Sequence, residues 1–200
     1  MAVLRHLRRH FAVSAADIDR DLPGDELVPR ARVVLDRGLR FDVPPESLWP
    51  WLAQLGKGRA GWYLPSAFER VTPTSRRGAR SIIPAYQHLA VGDEVPDWGP
   101  GAPIFRVAQI TPPHTLVYLS LRDKADRWRW PFDGDAQRTG VLALSWALII
   151  TPTSQGGSQV HSRLRINQLG RRFPELSAAM GALMDLATIA LLQRGLAERV

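Results

Sequence analysis

One stretch near the C-terminus limits the folds open to this chain. Residues 176–192 carry a single charge, Asp185, and helical periodicity there leaves an apolar surface on nearly every side. A helix of that kind cannot rest one face on a core and turn the other to water; it needs cover on more than one side. Pro174 and Glu175 mark its start, the proline because a first turn needs no backbone donor and the glutamate because it complements the helix dipole. The helix is expected over about 174–198. Ser177, Gly181 and several alanines dilute it, and it sits at the short end of the roughly 17–25 residues a membrane span needs. A buried core helix is therefore expected, with no membrane span. One face would lie on a sheet; two short helices, the N-terminal segment or a partner subunit could cover the other.

The sheet is written in the alternation of the preceding segments. Over 139–151, the large residues Leu142, Leu144, Trp146, Leu148 and Ile150 fall on one face and Val141, Ala143, Ser145, Ala147 and Ile149 on the other. Over 158–167, Val160, Ser162, Leu164 and Ile166 oppose His161, Arg163, Arg165 and Asn167, the cleanest polarity split in the chain. Further strands are expected at 91–96, 103–111 and 115–122, with a short one at 126–130. Short turns such as Thr111-Pro112-Pro113-His114 and Gln155-Gly156-Gly157-Ser158 make these strands antiparallel neighbours.

Upstream, Leu39, Phe41 and Val43 alternate with Arg40 and Asp42 in a strand within 32–43. Pro44-Pro45-Glu46-Ser47 then starts a helix with Leu48, Trp51, Leu52 and Leu55 on one face and Gly56 at its end. A second short helix is expected over 63–71, and an irregular loop over 72–90. Residues 1–30 read as an extension, with Ser14 capping a short helix and a turn at Leu22-Pro23-Gly24-Asp25.

Composition closes several routes. With no cysteine there is no disulfide, thiolate metal site or cysteine nucleophile. The 16 glycines and 16 prolines argue against an all-helical bundle. The net charge of +7 comes from scattered arginines, apart from Arg5-His6-Leu7-Arg8-Arg9-His10 and the pairs Arg76-Arg77 and Arg171-Arg172. Without a basic-aromatic stripe, a solvated surface is expected and nucleic acid is not. Residues 1–11 hold three arginines and no apolar run, so a cytoplasmic location is expected.

The order of elements, strand, two short helices, a meander and a long terminal helix, resembles the START-like superfamily (Bet v 1-like, also called SRPBCC). Four segments resemble a bacterial, largely actinobacterial branch of it. They are Leu22-Pro23-Gly24-Asp25-Glu26-Leu27-Val28-Pro29, Pro44-Pro45-Glu46-Ser47-Leu48-Trp49-Pro50-Trp51-Leu52, Gly58-Arg59-Ala60-Gly61-Trp62-Tyr63 and Leu89-Ala90-Val91-Gly92-Asp93-Glu94-Val95-Pro96-Asp97. Past residue 100 the likeness is one of architecture. It implies an α+β helix-grip fold, a curved antiparallel sheet wrapped around the terminal helix, over 31–200 behind the extension 1–30. It also implies an internal cavity for an apolar or amphipathic molecule; members bind lipids, sterols or hormones, and some are polyketide cyclases or aromatases. Where the family often carries serine after the Trp-Tyr pair, this chain has Leu64, so no role for that serine carries over.

Within that frame, Leu142, Leu144, Trp146, Leu148, Val160, Leu164, Leu183 and Ala187 are expected to line or back the cavity, with Trp62, Tyr63 and Trp98 near its mouth. Trp62 and Tyr63 could equally pack the junction of helix and sheet, and Trp146 could simply fill the core. Trp128 and Trp130 share a face and would form an apolar patch if exposed. Tyr86, His88, Asp97 and Tyr118 are the candidates for acid–base work. His88, Asp93, Glu94 and Asp97 read as a turn and solvated loop rather than a metal site. His161, Arg163 and Arg165 read as a solvated convex surface, or, in the opposite register, as supplying a cavity arginine for a carboxylate. Neither a phosphate loop nor a Gly-x-Ser-x-Gly elbow is present.

The expected function is therefore binding of a small hydrophobic or amphipathic ligand, without cofactor or metal. A cyclase or dehydratase using the same cavity, and an interaction module with a collapsed cavity, are the alternatives. Oligomeric state is left open.

Overall fold

The computed structural model describes residues 9–97, 103–123, 141–167 and 174–200. Trp98, Trp128, Trp130, the strand expected at 126–130 and the Arg171-Arg172 pair lie outside the described residues, as does most of the first basic run. The chain is α+β. Six strands, β1 (Val33–Phe41), β2 (Glu94–Pro96), β3 (Ile104–Thr111), β4 (Thr115–Asp123), β5 (Val141–Pro152) and β6 (Ser158–Ile166), form one antiparallel sheet in the order β1-β6-β5-β4-β3-β2. Helix α1 is Ala15–Ile18, α2 Pro45–Ala53, α3 Ser66–Glu69 and α4 Pro174–Ala197. The loop expected over 72–90 holds single 3₁₀ turns at Thr74–Arg76 and Pro84–Tyr86. None of the described helices is long and apolar enough to cross a membrane.

The inner face of the sheet carries the main core. Leu39, Phe41, Leu116, Leu148, Ile150 and Val160 pack against Leu48, Leu52 and Leu55 of the α2 region and against Leu186, Ile189, Leu192 and Leu196 of α4. The contact is close at Gly195, where a Cβ would collide with the Tyr63 carbonyl oxygen. A buried cation locks this junction. Arg199 donates to the carbonyls of Ala79, Leu64 and Gly195, pairs with the buried Glu69 and lies over the Tyr63 ring.

The outer face is where expectation and structure part. His161, Arg163 and Arg165 do point away from Val160, Ser162 and Leu164, so neither a register flip nor a cavity arginine occurs. The face is not solvated, however: His161 is 5% and Arg163 3% exposed. The N-terminal segment covers them. Arg163 donates to the carbonyls of Asp17, Ile18 and Arg20 and to the carboxylates of Asp25 and Asp36, while Arg165 donates to the carbonyls of Val28 and Pro29. His161 Nε2 lies 2.6 Å from the same Asp36 oxygen. Five acceptors on one guanidinium satisfy a charge that burial alone would disfavour. Burial pushes the Asp36 carboxyl up, but hydrogen bonds from His161 and Arg163, with the Arg163 charge, outweigh it and hold the group below its usual range.

The same segment covers the apolar part of this face. Val28 joins Leu121, Val141 and Ala143 in a second cluster. Gly24, at φ +93°, passes so close to β4 that a Cβ would lie 2.5 Å from a Val117 methyl. At the exposed edge of β1 the Gly38 amide donates to the Phe11 carbonyl at 2.9 Å, so the segment also shields that edge.

Removing the Arg163 charge leaves the buried Asp36 carboxylate with only the His161 ring of these two partners. Arg163→Met is therefore expected to cost about 3–5 kcal/mol of unfolding free energy and to open residues 12–30 to limited proteolysis. A loss under about 1 kcal/mol in urea titration, with the segment still protected, would contradict the assignment.

Candidate functional site

Register across four strands sets the inner-face side chains in rows. One row runs Leu39, Val160, Ile150; the next Arg37, Ser162, Leu148, Leu116; the next Leu35, Leu164, Trp146, Tyr118; and the last Val33, Ile166, Leu144, Ser120. Burial changes along them. In the first two rows Leu39, Val160, Ile150, Ser162, Leu148 and Leu116 are buried. In the last two, Leu35, Leu164, Trp146, Val33, Ile166 and Leu144 are only half-buried, as is Leu142 beyond them. The inner face is thus closed at one end and partly open at the other, with an apolar floor at the open end.

The long helix shows the same division. Its second half buries Leu186, Ile189, Leu192 and Leu196, whereas Met180, Leu183, Met184 and Ala187 are exposed. At the boundary Arg37 reaches up from β1, its Nε 2.9 Å from Asp185 Oδ2 on α4. Burial pushes Asp185 up to about 6, with Arg37 pulling in the opposite direction.

Aromatic side chains form the wall on the β3–β4 side. The Trp146 ring stacks on Tyr118 at 5.8 Å between centroids, Phe105 stands edge-on to Tyr118 at 5.9 Å, and Trp62 lies 6.1 Å from Trp146. Trp146 Nε1 donates to Ser162 Oγ at 3.0 Å, which fixes the indole across two strands. Tyr118 is 3% exposed, and its hydroxyl has no hydrogen-bond partner among the described residues. An unsatisfied buried hydroxyl costs roughly 1–3 kcal/mol. Burial raises this phenol well above its usual range, so it stays a neutral donor.

The expected site residues divide into five groups. Leu142, Leu144, Trp146 and Leu164 meet at the open end, with Trp62 beside Trp146. Leu148 and Val160 belong to the closed end. Tyr63 is fully enclosed; its hydroxyl donates to the Trp51 carbonyl at 2.9 Å and accepts from Gln54 at 3.0 Å, and burial pushes it up to about 12. It ties α2 to the following loop. Leu183 and Ala187 lie on the exposed side of α4 because the buried stripe runs through Leu186 and Ile189 instead. Trp98 lies outside the described residues.

Among the acid–base candidates, Tyr118 stands on the inner face itself. Tyr86 donates to the Gly58 carbonyl, Asp97 pairs with Arg122 at 2.7 Å, and His88 is exposed. Phe105, Leu35, Ile166 and the Arg37–Asp185 pair were not singled out from sequence. Phe105 falls within an expected strand with no face assigned, and Ile166, placed by alternation on the face of Val160 and Leu164, was not counted with the site. Among the described residues no three acidic or histidine side chains are grouped to hold a metal ion.

No family model and no curated protein matches the chain. Solved structures do. A protein of Rhodobacter sphaeroides is 19% identical over 82% of this chain and 90% of its own, with a TM-score of 0.49. A Staphylococcus aureus protein of unknown function is 11% identical, covering 83% and 91%, also at 0.49. CalU16 from Micromonospora echinospora is 10% identical, covering 84% and 76%, at 0.46.

The two shifted carboxyls give stability a pH dependence of opposite signs. Asp185, raised on folding, binds its proton more tightly in the native state, so its contribution falls as pH rises from about 4 to about 6. Asp36, lowered on folding, contributes above its unfolded value and loses that contribution as pH falls below it. Asp185→Asn is expected to remove a decline on the order of 2–3 kcal/mol between pH 4 and 6, read by urea unfolding against pH. An unchanged slope in the variant would place the titration elsewhere.

Proposed function

We propose that residues 31–200 form a START-like, helix-grip domain, with 1–30 as its extension, that takes up a small hydrophobic or amphipathic molecule, lipid- or polyketide-like, at the open end of the inner sheet face. The observation that carries this reading is the burial gradient. Side chains of one continuous face pass from fully buried at Leu39, Ile150 and Val160 to half-buried at Leu35, Leu144 and Leu164. Apolar floor left partly open beside an aromatic wall, with few polar groups, is the composition of small-molecule sites. Binding is favoured over catalysis because the ionisable groups nearest this floor are engaged within the protein or stay protonated. Asp185 is paired with Arg37, and burial keeps the Tyr118 phenol protonated.

The test uses 1-anilinonaphthalene-8-sulfonate as probe and circular dichroism as the folding control. Leu144→Glu puts a charge on the floor and is expected to weaken probe binding at least tenfold, with the fold retained. Met184→Glu, on the exposed side of α4 at 67% exposure, is expected to leave binding unchanged. Equal binding by wild type and folded Leu144→Glu, or loss only in Met184→Glu, would overturn the reading.

A further inference from the structure

Two buried donors near the aromatic wall lack acceptors. The Tyr118 hydroxyl makes no hydrogen bond among the described residues, and neither does Arg59 Nε. Arg59 is held in place from the other side, its Nη2 donating to the carbonyls of Ala53 at 3.1 Å and Tyr86 at 2.8 Å, with the guanidinium over the Tyr86 ring. Its charge acts on the Tyr118 phenol, which places both groups in one electrostatic environment. A run of packing contacts links them: the Gly56 position lies against both the Arg59 side chain and Val95 of β2, Val95 pairs with Phe105 of β3, and Phe105 packs on Tyr118. What two donors lack is an oxygen acceptor, and the half-buried Trp146 indole stacked on the Tyr118 ring supplies a flat apolar surface beside them.

Resting on the binding reading above, we infer that Tyr118 orients the ligand by donating its hydroxyl to a carbonyl or carboxylate oxygen, so that the site selects flat amphipathic molecules carrying such an oxygen over plain hydrocarbons. A buried donor made for an acceptor rejects an isostere lacking it more strongly than an apolar wall rejects a change of size.

Two probes of nearly equal shape separate the cases, 2-acetonaphthone and 2-ethylnaphthalene, titrated by tryptophan fluorescence. Wild type is expected to prefer the ketone roughly tenfold or more beyond what their hydrophobicities dictate. Tyr118→Phe is expected to abolish that preference while leaving 2-ethylnaphthalene binding unchanged. The ligand-free variant should melt no lower than wild type, because its hydroxyl had no partner to lose. A preference that survives in Tyr118→Phe, equal binding of both probes to wild type, or a lower melting point of the free variant overturns this assignment alone. Failure of both probes to bind overturns the binding reading and the assignment with it.

Discussion

Strand β5 is apolar on both faces, and the rest of the molecule follows from that. Leu148 and Ile150 point inward, Val141, Ala143 and Ala147 outward, and all five are buried. A sheet with such a central strand must be covered twice. The long helix and α2 cover the inner face. Among the described residues the outer face is covered not by a helix layer but by N-terminal chain whose regular structure is α1 and one 3₁₀ turn. Chain of that kind brings unpaired carbonyls with it, and Arg163 and Arg165 answer them from below. The arginines that look like solvated surface in the sequence are the donors that let irregular backbone be buried.

The inner cover is incomplete, and the proposed binding site lies there. The helix closes the face where Leu186, Ile189, Leu192 and Leu196 meet it, and the Arg37–Asp185 pair marks the limit of closure. Beyond it lie an apolar floor, a stacked Trp146–Tyr118 pair and a phenol with no acceptor among the described residues. The first and the last cost stability in a free protein, one through incompletely buried apolar surface and the other through an unmade hydrogen bond. Both costs fall at the proposed site.

Much of this was legible beforehand. The alternation over 141–150 and 158–166 assigned faces correctly, and Leu48, Trp51, Leu52 and Leu55 marked the buried side of α2. Alternation reports which way a side chain points, but not what lies over it, so the burial of His161 and Arg163 was invisible. A helix apolar around its whole girth offers no periodic contrast, and the stripe through Leu186 could not be distinguished from one through Leu183 and Ala187. Tyr118 sits between apolar residues on both sides, Leu116-Val117-Tyr118-Leu119, so no polarity split showed its face. The Arg37–Asp185 pair joins a strand near the N-terminus to the terminal helix, a contact that local pattern does not reach.

The central claim is that the open end of the inner face, and not the exposed side of α4, receives an apolar ligand. Methyl-selective NMR during titration with dodecanoic acid tests it most directly. The account expects shifts concentrated at Leu35, Leu142, Leu144, Leu164 and Ile166, with broadening of the Trp146 indole signal. Shifts confined to Met180 and Met184, or none at ligand concentrations well above those that saturate the dye site, would contradict it.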